Sequence, residues 1–309
     1  MSPEPGQPFD PEDIPYFFDN WHSLPWSPWV PFTADKHEFR QIPKEPGVYR
    51  IRAVNKDFLM YIGETQRTVH ERLNELRHTL KRTDLMPWND PHTAAPSLWA
   101  WHDAKNYEYE CSAAPLDAST SGRRGMEAFL LYKYRQERGE STLCNFGRFH
   151  PRYRKSTNRK EGQRGGRLAE DQKDNPAGWP GLEPLEVVGK PGDRDWMGLE
   201  WTDLVPLASE NIRKVAPGAG LYLLADAGSQ EIVYIGQSAD VTKRLLDHSR
   251  KAWEGRSLQF SYQIIGQSVV PHHLKELEND LIGNFFEHFR KAPAFQFGNS
   301  RHTVFIHSQ

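Results

Sequence analysis

The sequence has few cysteines and no long apolar run. Cys111 and Cys144 are the only cysteines among 309 residues, and they lack the spacing of metal ligands. They give no disulfide framework, so we expect free, packed thiols in a reducing compartment. No apolar stretch is long enough to cross a membrane, and residues 1–19 carry prolines and acids where a secretory signal needs a basic and then an apolar stretch. We therefore predict a cytoplasmic protein without a membrane partner.

An ATP-binding phosphate loop and an overall positive charge are also missing. No Gly-x-x-x-x-Gly-Lys-Ser/Thr occurs, and the net charge of −2 argues by itself against nonspecific binding to nucleic acid. The charge is uneven, however, because residues 148–167 hold eight Lys and Arg against one acid, whereas residues 168–210 hold ten acids and three bases. A basic island of this kind suits local phosphate contact, and its alternative is a solvated linker. The candidate DNA-binding residues are Arg148, Arg152, Arg154, Lys155, Arg159, Lys160, Arg164 and Arg167.

What the sequence does contain is an internal repeat. Gly47-Val48-Tyr49 is followed after twelve residues by Tyr61-Ile62-Gly63, and Gly220-Leu221-Tyr222 is followed at the same distance by Tyr234-Ile235-Gly236. Both tyrosines are displaced by 173 residues, a period too long for a solenoid, so we expect two copies of one small domain. In each copy the pattern predicts a β hairpin with the two tyrosines on neighbouring strands.

A basic helix is predicted after each hairpin. The apolar stripes of the two helices align Arg72 with Arg244, and on the same alignment Leu76 stands where the second copy has His248. The activity of the first copy is therefore in doubt unless another residue takes the histidine's place, the candidates being His70, His78 or a lysine.

A second helix in each copy carries a glutamate that matches between the copies. Aligning Glu127 with Glu278 places Asn145 and Asn299 at similar distances downstream, 18 and 21 residues. A single helical carboxylate can hold one Mg²⁺, which keeps most of its water ligands. Glu127 and Glu278 are therefore the predicted metal ligands, and Glu276 is the rival of Glu278.

These residue types suit phosphodiester hydrolysis. A guanidinium offers paired donors to phosphate oxygens and stays charged, which fits Arg72 and Arg244. A tyrosine with an ordinary pKa of about 10 acts as a phenolate only near positive charge. A histidine with an unperturbed pKa of about 6.5 accepts a proton readily. The sequence leaves open whether His248 or one of the tyrosines Tyr49, Tyr61, Tyr222 and Tyr234 is the general base.

The paired Gly-x-Tyr and Tyr-Ile-Gly strands, each followed by a basic helix, resemble the GIY-YIG nuclease family over the core of both copies. The resemblance implies an α+β fold, with two domains that each contain a small, mainly antiparallel three-stranded sheet flanked by helices. It implies that the first tyrosine and the histidine handle protons, that the second tyrosine helps to position, and that Asn145 and Asn299 brace the sites. It also implies products with a 5′-phosphate and a 3′-hydroxyl.

The function expected from this resemblance is a DNA endonuclease that depends on Mg²⁺ or Mn²⁺. A restriction or phage-defence enzyme that acts on duplex DNA as a fused pseudo-dimer fits best. The alternatives are a nucleic-acid-binding protein with one degenerate copy and a structure-specific repair or RNA-processing nuclease, with RNA in place of DNA.

The predicted organisation has four parts. Residues 1–24 form an arm rich in proline, acids and aromatics, residues 25–148 the first copy, residues 149–195 a basic and then acidic linker, and residues 196–309 the second copy. Trp29 and Trp201 stand at similar distances before the first tyrosine of each pair, so the repeat is expected to include this lead-in. In the first copy the insert Lys81 to Gly125 bears tryptophans, and Leu98 to Trp101 and Tyr107 to Cys111 are predicted strands.

Overall fold

The computed structural model describes residues 13–81, 84–266 and 269–298. The chain divides into two compact units, the first comprising Met1–Asp117 and Tyr134–Trp179 and the second Ala118–Lys133 and Pro180–Gln309. Antiparallel sheets and six α helices make up the regular structure of the described ranges, which confirms the α+β class. No helix in these ranges is long and apolar enough to cross a membrane.

The first unit is built on a four-stranded antiparallel sheet. Its strands lie in the order β1-β4-β2-β3, with the bounds β1 Val30–Pro31, β2 Gly47–Ala53, β3 Leu59–Thr65 and β4 Tyr109–Pro115. Three strands were expected, and the fourth is the two-residue edge strand β1, which is too short to leave an alternating pattern. Helices α1 (Val69–Leu80) and α2 (Ala95–Lys105) cover the core of the sheet, with Leu73 and Leu98 fully buried.

The prediction of a strand from Leu98 to Trp101 is wrong, because these residues lie within α2. Pro96 at the start of α2 suits the first turn of a helix, and Asn106 ends the helix in the left-handed conformation. Leu98 to Trp101 is almost wholly apolar, and such a short run cannot by itself distinguish a strand from a buried helix. The second strand predicted in the insert exists as β4, shifted by two residues at its start.

The N-terminal arm packs into the first unit from residue 13 onward, around the fully buried Arg50. The Arg50 guanidinium donates to the backbone oxygens of Tyr16 at 2.7 Å and Phe18 at 2.8 Å. It also lies 4.2 Å from the ring centre of Trp26 and 4.7 Å from that of Trp29. These cation–π and carbonyl contacts compensate for burying the charge. Trp26 and Trp29 are thus packed on the domain, and residues 1–12 lie outside the described residues.

Residues 149–195, which were predicted as a linker, divide between the two folded units. The first part belongs to the first unit, with Phe149 and Tyr153 buried and with a small hairpin of β5 (Tyr153–Arg154) and β6 (Gly166–Arg167). The second part belongs to the second unit, where the backbone N–H groups of Leu182 and Leu185 donate to buried carboxylates. The segment shows no periodicity because a short hairpin and side chain–backbone hydrogen bonds, not a long regular element, hold it in place.

Helix α3 (Thr120–Arg138) crosses the division between the units, since Ala118–Lys133 belongs to the second unit and Tyr134 begins the remainder of the first. The boundaries of the units therefore differ from the predicted ones at 148 and 195. One division lies inside helix α3, and the amino-acid composition does not change at that point.

The second unit has a sheet of the same order, β7-β10-β8-β9, also antiparallel throughout. Its elements are β7 Val205–Pro206, α4 Ser209–Ile212, β8 Ala219–Asp226, β9 Ile232–Ser238, α5 Val241–Ser249, β10 Leu258–Gly266 and α6 Pro271–Phe289. The lead-in is repeated as predicted, but with a different partner. The Trp26 indole N–H donates to the Trp21 backbone oxygen at 2.9 Å, and that of Trp201 to the Trp196 oxygen at 3.0 Å. Trp201 therefore corresponds to Trp26 and not to Trp29.

Candidate active site

The strand register explains why glycine ends the Tyr-Ile-Gly sequence. Tyr222 on β8 pairs directly with Gly236 on β9, and the tyrosine ring lies across the glycine. A Cβ at Gly236 would lie 2.3 Å from Tyr222 Cζ and Oη and 2.8 Å from Tyr234 Cε1, far inside van der Waals contact. The missing side chain thus leaves room for the two rings, whose centres are 6.1 Å apart and nearly parallel.

The first copy repeats this arrangement. Tyr49 on β2 pairs with Gly63 on β3, and a Cβ at Gly63 would lie 2.6 Å from Tyr49 Oη and from Tyr61 Cε1. The two ring centres are 6.0 Å apart. Both predicted tyrosine pairs are therefore stacked over the glycine of their own hairpin.

Helix α5 brings two side chains to Tyr222. The Asp240 side chain caps the helix by accepting from the Lys243 N–H, and Arg244 and His248 follow one turn apart on one face. His248 Nε2 lies 2.8 Å from Tyr222 Oη, and the Arg244 Nε–H donates to the same oxygen at 3.3 Å. The tyrosine hydroxyl is thus held between an imidazole and a guanidinium.

Burial sets the protonation of this group. It raises the pKa of Tyr222 well above its usual value, an effect that the Arg244 hydrogen bond opposes. Burial, with the charges of Lys251 and Arg244, lowers the pKa of His248 to about 3. Both partners are therefore neutral at pH 7 without a ligand, and neither a phenolate nor an imidazolium is present at rest. His248 Nδ1 is buried without a partner in the described residues, so no hydrogen bond selects the tautomer.

Glu278 on α6 reaches the same site. The nearby backbone N–H of Gln237, the residue after Gly236, and the charges of Lys275 and Arg244 lower the pKa of its carboxyl group. Burial nevertheless raises the pKa of Glu278 to about 7. A recessed carboxylate whose charge is this poorly compensated fits a divalent cation as its counter-charge. The described residues contain no group of three or more His, Cys, Asp or Glu that could share an ion.

Glu276, the rival ligand, has a different environment. It is fully buried, and its Oε2 accepts from the Leu182 N–H at 2.9 Å. Its carboxylate holds the chain segment at Leu182 in place.

The first copy has a histidine at its tyrosine, but the residue comes from the insert. His92 Nε2 lies 3.0 Å from Tyr49 Oη, and the imidazole is buried. Leu76 is buried in the core, His70 packs against Phe39 with ring centres 5.4 Å apart, and His78 is exposed. The substitutes predicted on α1 are therefore not the residues at Tyr49. No sequence signal marked His92, because it lies in the non-repeated insert and outside any periodic element.

Arg72 lies next to this histidine. Its Nη1–H donates to the backbone oxygen of Pro91 at 2.8 Å, and it forms a long ion pair with Glu75 at 3.8 Å. Glu127, the predicted ligand of the first copy, is partly buried on α3 in the stretch that belongs to the second unit. The first unit by itself thus contains the tyrosine pair, Arg72 and His92.

An amide side chain braces each hairpin at the middle residue of Tyr-Ile-Gly. Asn145 accepts from the Ile62 N–H at 3.0 Å and donates to the Ile62 oxygen at 2.8 Å. In the second copy Gln296 makes the same two bonds to Ile235, both at 2.9 Å. The resemblance had implied a bracing role for Asn145. Asn299 lies outside the described residues. Gln296 was missed because it is a different residue type, three positions before Asn299, and therefore does not align with Asn145 when the two copies are compared.

The basic segment 148–167 divides into internal and exposed residues. Arg148 is buried and bonds to Ser141 and Glu140, and Arg152 bonds to Asp174 and to two backbone oxygens. These two hold the segment together through internal bonds. Lys155 is partly buried, whereas the exposed members of the predicted set are Arg154, Arg159, Lys160, Arg164 and Arg167.

A cavity of about 480 Å³ opens beside this segment in the first unit. Its walls include Pro91, Trp88, Arg159 and Arg164, and the Arg164 guanidinium lies 4.4 Å from the ring centre of Trp88. Arg159 and Arg164 thus lie beside the loop that carries His92.

Comparison of the chain with family models, curated proteins and solved structures finds no match. Any functional assignment therefore rests on the geometry of the two tyrosine sites and on the sequence resemblance.

Proposed function

We propose that the protein is an endonuclease that depends on Mg²⁺ or Mn²⁺ and hydrolyses phosphodiester bonds of duplex DNA, as a restriction or phage-defence enzyme of the cytoplasm. The observation that supports this most directly is the convergence of Tyr222, His248, Arg244 and Glu278 at one hairpin of the second unit. An acid–base pair, a fixed positive charge and a recessed carboxylate are the groups that phosphodiester hydrolysis requires.

The reaction places each group in a role. Arg244, whose pKa is raised by its bond to Tyr222 although burial opposes its charge, binds the scissile phosphate. The oxygen of a water molecule forms a bond to phosphorus while the bond from phosphorus to the 3′-oxygen breaks. One proton of that water passes to the Tyr222–His248 pair, and the leaving 3′-oxygen takes a proton from solvent.

Glu278 would hold the divalent ion in this site. A bound ion supplies positive charge to a phosphate oxygen and compensates the carboxylate that burial leaves costly. Positive charge at this site would favour loss of the Tyr222 proton, and His248 in its neutral form is able to accept a proton. The two copies would act as a fused pseudo-dimer, with one site for each DNA strand.

The experiment uses supercoiled plasmid and phage genomic DNA, modified and unmodified, with Mg²⁺, Mn²⁺ or EDTA. We expect cleavage with either metal, none with EDTA, and a loss of about 100-fold or more in the rate at the second site for Glu278→Gln. The matched control is Glu210→Gln, which changes an exposed glutamate on α4 of the same unit. Binding without cleavage of any substrate, or full activity of Glu278→Gln, would contradict the proposal.

The alternative function is a protein that binds nucleic acid and has one degenerate copy. It was favoured because Leu76 stands in the first copy where the second copy has His248. His92 supplies an imidazole to Tyr49, so that argument no longer favours a degenerate first copy.

A further inference from the structure

A second cationic side chain lies beside the candidate active site of the second unit. Lys251 follows Arg244 by seven residues and His248 by three. Helix α5 ends at Ser249, but Arg250 keeps a right-handed helical backbone and the Lys251 N–H donates to the His248 oxygen at 3.1 Å, so the turn continues. Because residues i, i+4 and i+7 of a helix share one face, Arg244, His248 and Lys251 form one stripe.

Trp253 supports the end of this stripe. Its indole N–H donates to the His248 backbone oxygen at 2.9 Å, and its ring centre lies 5.3 Å from that of His248 and 6.1 Å from that of Tyr234. The Lys251 Nζ lies 5.7 Å from the Trp253 ring centre. Cation–π attraction thus holds the ammonium over a ring that itself packs on the side chains of the candidate site.

The two cations of the stripe act on each other and on the histidine between them. Burial and then the charge of Arg244 lower the pKa of Lys251, and burial with the charges of Lys251 and Arg244 lowers the pKa of His248. Asp247, the acid whose charge acts on Lys251, forms a long ion pair with Arg250 at 3.8 Å. The mutual repulsion of two partly buried cations is relieved when an anion binds beside them.

The first copy does not repeat this lysine. On the alignment of Arg72 with Arg244, Thr79 stands where the second copy has Lys251, and its hydroxyl donates to the Glu75 backbone oxygen at 2.9 Å. The lysine is therefore a feature of the second unit and not of the repeat.

We propose that Lys251 binds a phosphate of the cut strand next to the scissile one, so that the second unit holds two consecutive phosphates, one on Arg244 and one on Lys251. The two residues start about 10 Å apart along the helix. Arg244 is directed to the Tyr222 hydroxyl, whereas Lys251 lies over Trp253, so we assign them to different phosphates. An ammonium on a flexible stem binds phosphate as a point charge.

This inference rests on the proposed endonuclease function and deepens it. A site that holds two consecutive phosphates takes a polynucleotide strand as its substrate and not an isolated phosphodiester.

The first test neutralises single phosphates of the DNA. The unmodified protein with Mg²⁺ maps the cut, and duplexes are then made with a neutral methylphosphonate at the cut phosphate or at the phosphate on either side of it. Binding is measured in EDTA. We expect one of the two flanking replacements to weaken binding of the unmodified protein by about 10-fold. The same replacement should weaken binding of Lys251→Met by only about twofold or less, because the contact is already lost.

The control is Lys243→Met, which removes the charge of an exposed lysine of the same helix. It should show the full loss of about 10-fold with the flanking methylphosphonate, because Lys251 is intact. Methionine keeps an apolar stem over Trp253, and thermal melting of Lys251→Met separates a folding defect from a lost contact.

Cleavage kinetics give a second readout of the same contact. Lys251→Met should raise KM by about 10-fold with little change in kcat, because a flanking phosphate is bound equally in the ground and transition states. Lys251→Arg keeps the charge and should recover most of this loss.

A further measurement does not depend on cleavage. Nitrogen-15 NMR follows the Trp253 indole N–H, assigned from the Trp253→Phe spectrum, during titration with thymidine dinucleotides in EDTA. The 5′-phosphorylated dinucleotide carries two consecutive phosphates and the unphosphorylated one carries a single phosphate. The unmodified protein should bind the first more tightly, whereas Lys251→Met should bind both equally.

The outcomes distinguish this inference from the endonuclease proposal. Absence of cleavage, together with a dinucleotide preference that Lys251→Met removes, would overturn the endonuclease function and support the binding of consecutive phosphates. Equal losses from the flanking methylphosphonates in the unmodified protein and Lys251→Met, or coupling at the cut phosphate alone, would overturn the Lys251 contact and leave the endonuclease function standing. A dinucleotide preference that Lys251→Met retains would also overturn the contact.

Discussion

The glycine of Tyr-Ile-Gly gives the sharpest structural prediction. In Gly236→Ala the new Cβ would lie 2.3 Å from Tyr222 Cζ and Oη, whereas carbon atoms in contact are about 3.5 Å or more apart. The ring must therefore move by about 1 Å or the strands must separate. Either change breaks the 2.8 Å contact of Tyr222 with His248, which is buried.

The magnitude follows from these two losses. Overpacking costs about 1–3 kcal/mol, and a lost buried hydrogen bond adds about 1 kcal/mol. We expect the free energy of unfolding to fall by about 2–4 kcal/mol and the melting temperature of the second unit by roughly 5–10 °C. Misplacing the tyrosine hydroxyl by about 1 Å should also slow cleavage at this site by about 100-fold.

Calorimetry and a nicking assay measure the two effects, and Gly228→Ala is the matched control. Gly228 lies in the turn of the same hairpin, where the nearest atom to an added Cβ is Asp226 Oδ1 at 3.3 Å. A double-mutant cycle then tests the cause. With Tyr222→Ala the ring is gone, so adding Gly236→Ala should cost less than half as much. Equal costs in both backgrounds, or a melting temperature like that of Gly228→Ala, would refute the explanation of the glycine.

Three further predictions concern other parts of the chain. The pKa of Glu278 is raised from 4.5 to about 7, so the metal-free folded state holds a proton that the unfolded state has lost, and stability falls as pH rises between those values. This fall in the free energy of unfolding amounts to at most about 3 kcal/mol, and metal-free Glu278→Gln should lack it. Equal pH profiles of unfolding for the two proteins would contradict the raised pKa. Gln296→Leu should destabilise the second unit by about 1–3 kcal/mol, measured by thermal melting, because both backbone groups of Ile235 lose their partners. Arg154→Ala should weaken DNA binding and, in a salt titration, reduce the number of ions released on binding by about one. Arg152→Ala should instead lower the melting temperature, because it breaks an internal hydrogen-bond network. The reverse pattern would contradict the division of the basic segment into internal and exposed residues.

Much of the second site could be predicted from the sequence because its parts are local. A twelve-residue spacing in a hairpin fixes the tyrosine pair, and helical periodicity puts Arg244 and His248 on one face. The repeat then pointed to Glu278 by comparison of the two copies. The α+β class was implied by the resemblance to the GIY-YIG family.

The remaining features depend on chain segments that meet only after folding. His92 reaches Tyr49 across 43 residues, and Gln296 reaches Ile235 across 61, and neither lies in a periodic element. The basic segment and the arm likewise became parts of folded units through hydrogen bonds and cation–π contacts that composition does not show.

The sequence by itself thus determined the repeat, the hairpins, the tyrosine pairs on neighbouring strands and the residues one helical turn apart, since each depends on spacing along one or two neighbouring elements. Only the tertiary structure decided which histidine serves the first copy, which amide braces the second, and where the units divide. The physical reason is that a side chain on a non-repeating loop is placed by the hydrogen bonds of its surroundings, and those partners have no fixed distance in the chain.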